Sequence, residues 1–133
     1  MAGADARVEI YDAELNRQLR VIGARKMRSW QRQTATQAKV TVPVRTGNLG
    51  RSHREGRVTH SAARDTHGSV HNDADYALYV HEGTRPHVIR PRFRQALRFQ
   101  VGGSTVFARR VNHPGTRGRP WLRNAAVRVA SRL

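Results

Sequence analysis

The sequence predicts an α+β fold: a long N-terminal helix packed on a small antiparallel sheet, with a β-hairpin arm, a short helix and a C-terminal helix. Three observations carry this expectation. Residues 13–42 hold Leu15, Leu19 and Ile22 at helical spacing in a proline-free stretch rich in Ala, Gln and Arg. From Val44 the texture breaks into short β-like pieces separated by turn residues. Pro120 then opens a second apolar-periodic stretch that runs to the end of the chain. Strands grouped between two helices, without βαβ alternation, are the pattern of an α+β domain. At 133 residues, a single domain spanning 1–133 is expected.

In chain order, residues 1–11 form a lead segment in which Val8, Ile10 and Tyr11 partly alternate with polar residues. Asp12 is a candidate N-cap, and Glu14 lies in the first turn, where the helix dipole favours an anion. The helix is expected from Ala13 to Val42, its apolar stripe continuing through Met27, Trp30, Thr34 and Ala38 after a possible bend at Gly23. Pro43 ends it, because the residue before a proline is pushed out of the α region. Thr46-Gly47-Asn48 marks a turn. Residues 51–72 read as an extended two-stranded ribbon or arm, from Arg51–Ser61 and Thr66–Asn72, with its tip near Ala62–Asp65. Tyr76–Val80 is a short helix ending at Gly83, and His87–Ile89 is a candidate strand. Ala96–Val101 and Thr105–Val111 flank Gly102-Gly103-Ser104, a hairpin signal. The last helix should bury Trp121, Leu122, Ala125, Ala126 and Val129.

Composition narrows the function. Leu, Ile, Val and Phe together fill 27 of 133 positions, while the formal net charge is +16. That pairing borders on the composition of disordered chains, so the core is thin or is completed by partners. Of 25 basic residues 23 are Arg, a skew that guanidinium chemistry or a GC-rich genome explains equally well. Ten basic residues and no acid lie between Leu15 and Arg54, and twelve Arg but no acid follow Glu82. Such faces repel copies of themselves unless something anionic lies opposite, either nucleic acid or acidic protein. The sequence has no apolar run of membrane-spanning length and no secretory signal, and the lack of cysteine excludes disulfides, thiolate metal sites and thiol catalysis. Cytoplasmic synthesis is expected.

Catalytic and metal chemistry find little to stand on. His67 and His71 are four apart, but Gly68 and polar neighbours argue against a shared helical face. His81-Glu82 begins like a zinc-protease signature, yet the second histidine would fall on Arg85. Arg45-Thr46-Gly47 lacks the carboxylate that aspartic-protease chemistry requires. No base-and-orienter set surrounds the serines, and the glycines lack phosphate-loop spacing. Neither an enzyme nor a cofactor is expected, and a small nuclease is the enzymatic rival. Free, sequence-independent nucleic-acid binding is the main alternative, since phosphate contacts dominate non-specific affinity. Aromatics interleaved with Arg would be wanted for it, and they make up only 6% of the chain.

Three ordered patterns add a resemblance: Val42-Pro-Val-Arg-Thr-Gly-Asn-Leu49 followed by Arg51-Ser52, Tyr76-Ala-Leu-Tyr-Val-His-Glu-Gly-Thr84, and His113-Pro-Gly-Thr-Arg-Gly-Arg-Pro-Trp-Leu122 followed by Ala125. Together they resemble the head–tail joining proteins of tailed bacteriophages, also called neck or tail-completion proteins, over residues 12–133. Arg45 stands where that family commonly has Asp, His81 precedes its familiar Glu, Trp121 replaces Phe and Asn124 replaces Pro.

The resemblance implies a virion structural protein at the head–tail junction, assembled in the host cytoplasm. It would form a homo-oligomeric ring between the portal-side connector and the tail tube, touching neighbouring connector and tail proteins. Genome DNA would pass through the lumen with non-specific contact, and no membrane would be involved. Within it, Pro43, Gly47, Leu49, Tyr76, Tyr79, Gly83, Pro114, Gly115, Pro120 and Trp121 are fold-keeping residues. Gly47 permits a turn, Leu49 anchors inward, and Tyr76 and Tyr79 pack the short helix. Gly83 ends that helix in a left-handed conformation, Pro114-Gly115 makes a tight turn, and Trp121 plugs the core. On the long helix, Arg17, Arg20, Arg25, Arg28 and Arg32 would face acidic groups or DNA phosphate.

Overall fold

The computed structural model describes residues 7–62 and 64–133. Among the described residues, four helices and ten short strands follow one another as an α+β arrangement. The length predicts one domain, and the contacts gather into two compact units. One is the described part of Met1–Ala74 together with Trp121–Leu133, and the other is Asp75–Pro120. The strands form five two-stranded antiparallel pairs rather than one sheet.

In the first unit, α1 spans Asp12–Thr41 without interruption at Gly23. Thirty residues give a length of about 45 Å. Tyr11, not Asp12, occupies the capping position and makes no side-chain cap hydrogen bond, so Asp12 and Glu14 both lie inside the first turn. The C-terminus falls where Pro43 requires it, with Val42 extended (φ −62°, ψ 140°) and its N–H still donating to the Ala38 carbonyl.

The buried face of α1 keeps the end of the expected stripe, Thr34 and Ala38, but not its beginning. Gln31, Thr34, Ala35 and Ala38 are buried, while Leu15, Val21 and Ile22 are exposed. Hydrophobicity alone does not select the face; the neighbours do. α4 (Trp121–Ala130) packs along α1, burying Trp121, Ala125 and Val129, and the Trp30 Nε1–H donates to the Ala126 carbonyl at 3.3 Å. Small residues at 34, 35 and 38 let the two helices approach.

A ribbon covers the other flank. β1 (His53–Glu55) pairs with β4 (Val70–Asn72), and β2 (Thr59–Ala62) with β3 (Asp65–His67), with a register shift between His60 and Ala62. The two pairs form the expected hairpin, while Ala63 at its tip lies outside the described residues. The ribbon is not a free arm, because β1, β3 and β4 pack against α1. Its midpoint is held by Gln31, whose Nε2 donates to the carbonyls of Gly56 (2.8 Å) and Ser69 (2.9 Å). A buried amide is tolerated on a helix face when it meets such partners. Between α1 and the ribbon, α2 (Asn48–Arg51) buries Leu49.

The second unit contains α3 (Ala77–Glu82), which ends at Gly83 as expected. Gly83 has φ +82° but ψ −179°, so it lies outside the left-handed helical region predicted for it, in a region that only glycine occupies readily. A Cβ there would stand 2.4 Å from the Thr116 carbonyl oxygen, because β5 (Gly83–Thr84) pairs closely with β10 (Thr116–Arg117). β6 (His87–Ile89) pairs with β9 (Val111–His113), stacking His87 on His113 at 4.9 Å between ring centroids. β7 (Leu97–Val101) and β8 (Ser104–Ala108) form the predicted hairpin, although its second strand ends at Ala108 and Val111, expected within it, belongs to β9. Gly102 and Gly103 both have positive φ, as the tight primed turns of hairpins require.

Candidate interaction surfaces

The five arginines expected on α1 do not act as one group. Arg17 is turned toward its own helix: its Nε donates to Glu14 Oε2 at 2.8 Å, and Gln18 donates to Glu14 Oε1 at 2.8 Å. These hydrogen bonds, Arg17's first, hold the Glu14 carboxyl down at about 2, and the same contact raises the Arg17 pKa. Arg20 stands about 120° around the helix from Arg32. Arg25, Arg28 and Arg32, at three- and four-residue spacing, share one face. With Val21, Ser29 and Gln33 they line a shallow open groove. All three are exposed, and none forms an ion pair among the described residues.

The fold-keeping residues divide likewise. Leu49 and Trp121 are buried as expected. Gly47 has φ +76° at the start of α2, and Pro43 follows the capping residue of α1. Pro120 directly precedes α4. Gly115, after Pro114, has φ +87° and donates its N–H to His113 Nδ1 at 3.0 Å, which closes the turn. Tyr76 and Tyr79 do not pack α3 as expected. Tyr79 is 59% exposed and Tyr76 is exposed, while Ala77 supplies the buried contact. A helix of six residues has only one inward position per turn, and the small side chain takes it.

His53 is a residue that sequence reasoning missed. It is buried, accepts the Trp121 indole N–H at Nε2 (2.9 Å), and therefore carries its proton on Nδ1, which donates to the Gly50 carbonyl at 2.9 Å. No local pattern reveals this, because the partner lies 68 residues away. Missed as well is the character of the β7–β8 hairpin. Phe93 on its approach and Phe107 and Val101 within it are exposed, among Arg90, Arg92, Arg94, Arg98, Arg109 and Arg110.

Among the described residues no group of three or more His, Cys, Asp or Glu stands together, and no helix is long and apolar enough to cross a membrane. No family model, curated protein or solved structure matches this chain.

Proposed function

We propose that this chain is a structural subunit of a tailed-bacteriophage virion, forming a homo-oligomeric ring at the head–tail junction that joins the portal-side connector to the tail tube. The observation that carries the reading is the unfinished surface of α1. Its first three turns leave Leu15, Val21 and Ile22 exposed, directly preceding the unpaired Arg25–Arg28–Arg32 face. Each large aliphatic side chain moved from water into an interface contributes up to about 1.5–3 kcal/mol, and association is how a thin-cored subunit gains that burial. The three ordered motifs in the sequence point the same way. Function here is association and docking, with the basic face directed to acidic protein or to passing DNA.

Native mass spectrometry of the purified protein tests this reading, with a closed oligomer of one copy number expected. Arg25→Glu combined with Arg28→Glu should reduce head–tail joining, read as yield of infectious particles. A chain that stays monomeric and binds duplex DNA tightly at physiological salt, with a steep salt dependence, is instead a free nucleic-acid-binding protein.

A further inference from the structure

We propose that the segment Arg7–Tyr11 of one copy adds as a third strand to the outer edge of β8 in a neighbouring copy. The inference rests on the ring reading above and names the element that links its subunits.

The edge comes first. β7 and β8 pair only with each other among the described residues, so β8 presents an unpaired row of backbone groups. Natural edge strands are shielded by charge, by proline or by bulges. β8, Ser104-Thr-Val-Phe-Ala108, carries no charge and no proline, and it pairs with β7 in unbroken register. Alternation places Leu97, Phe99 and Val101 on one face with Val106 and Ala108, and Arg98 on the other with Phe107. An isolated two-stranded hairpin is marginally stable, and a third strand is what such a ribbon needs.

The occupant is in the same chain. Residues 7–11 form neither helix nor strand, and Val8, Ile10 and Tyr11 are 85%, 69% and 72% exposed. Val8 and Ile10 alternate with Glu9, the period of a strand with one apolar face. Five residues of strand span about 17 Å, and β8 also has five. Laid beside β8 one residue off the end-to-end match, which itself would set Glu9 opposite Val106, Val8 and Ile10 lie opposite Val106 and Ala108 in either direction. Glu9 then falls opposite Phe107, on the face of Arg98.

Charge favours the same pairing. Six arginines sit on the hairpin and its flanks, none in an ion pair among the described residues. The segment brings Glu9, held within its own chain by Arg7 at 3.1 Å and by the Tyr11 hydroxyl at 3.2 Å, and, one residue beyond its end, Asp12, so two acids against Arg7 leave residues 7–12 with a net charge of −1. Main-chain hydrogen bonds supply the affinity in strand addition, and the alternate side chains supply the specificity.

The absence of cysteine makes the test clean. A Glu9→Cys chain is mixed with a Phe107→Cys chain under mild oxidation, and the mixed disulfide should dominate over either homodimer. Directly opposed strand residues lie within disulfide range. In parallel, Val8→Asp with Ile10→Asp should weaken the oligomer about tenfold or more in native mass spectrometry, with circular dichroism unchanged because both side chains are solvated. An oligomer that forms without the mixed disulfide and survives both Asp substitutions overturns the strand addition and leaves the ring standing. A chain carrying both cysteines that closes the bond within a monomer also overturns it. A wild-type chain that never oligomerises removes the ring reading itself.

Discussion

Trp121 donates its indole N–H to His53 Nε2 at 2.9 Å, joining the start of α4 to β1 across 68 residues of sequence. The rings meet edge to face, 6.3 Å between centroids and 84° between planes, and both residues are 5% exposed. Trp121→Phe keeps most of the packing and removes the donor, leaving a buried imidazole nitrogen unpaired. The expected loss is about 1–3 kcal/mol, seen as a lower urea midpoint at unchanged slope. Trp121→Ala should cost more, about 3–5 kcal/mol. An unchanged midpoint for the Phe variant would show that the hydrogen bond contributes nothing.

Thr34 offers the opposite case. Its Oγ1 is buried without a hydrogen-bond partner, on the face of α1 that carries the core. Thr34→Val keeps the shape and removes the unsatisfied hydroxyl, so stability should rise by about 1 kcal/mol. The thermal midpoint should rise by about 3–5 °C. A fall in the midpoint would mean that the hydroxyl is satisfied in solution.

The Glu14–Arg17 pair makes the first turns of α1 sensitive to pH in one direction. Folding lowers the Glu14 carboxyl from 4.5 to about 2, chiefly through the Arg17 hydrogen bond. A depressed carboxyl stabilises above its unfolded value and loses that contribution as pH falls through the folded one. Helical signal from these turns should therefore be flat above pH 5 and decline between about pH 4.5 and 2. Glu14→Gln should abolish that decline. Backbone amide exchange at residues 14–18 is the sensitive readout, because the pair is solvent-exposed and salt-screened.

Much of the architecture was legible because it depends on local signals. The Pro43 stop, the Gly102-Gly103 hairpin, the short helix ended by Gly83 and the Pro120 start each rest on a few adjacent residues, and each lies where expected. The buried face of α1 was legible only in part, at Thr34 and Ala38. Leu15 and Ile22 are more hydrophobic than Gln31 and Ala35, but α4 and the ribbon cover the later turns, and Gln31 is buried because two distant carbonyls meet its amide. Strands of two or three residues such as β5, β9 and β10 carry no periodicity to read, and long-range pairing alone defines them. The candidate surface was half legible: the Arg25–Arg28–Arg32 spacing is in the sequence, whereas the engagement of Arg17 by Glu14 and the solvation of Phe93 and Phe107 are not.

From Asp12 to Ile22, α1 contains no buried residue and stands between the lead segment and the first packed turns. Those eleven residues act as a ruler of about 16 Å with a fixed phase. Substitutions along it alter the surface but keep the reach. Deleting or inserting one residue changes the reach by about 1.5 Å and swings everything before it by about 100° around the helix axis. An insertion of seven residues nearly restores the angle and adds about 10.5 Å. The stretch is thus tolerant of changed letters and intolerant of changed length, a constraint set by helical pitch rather than by any side chain.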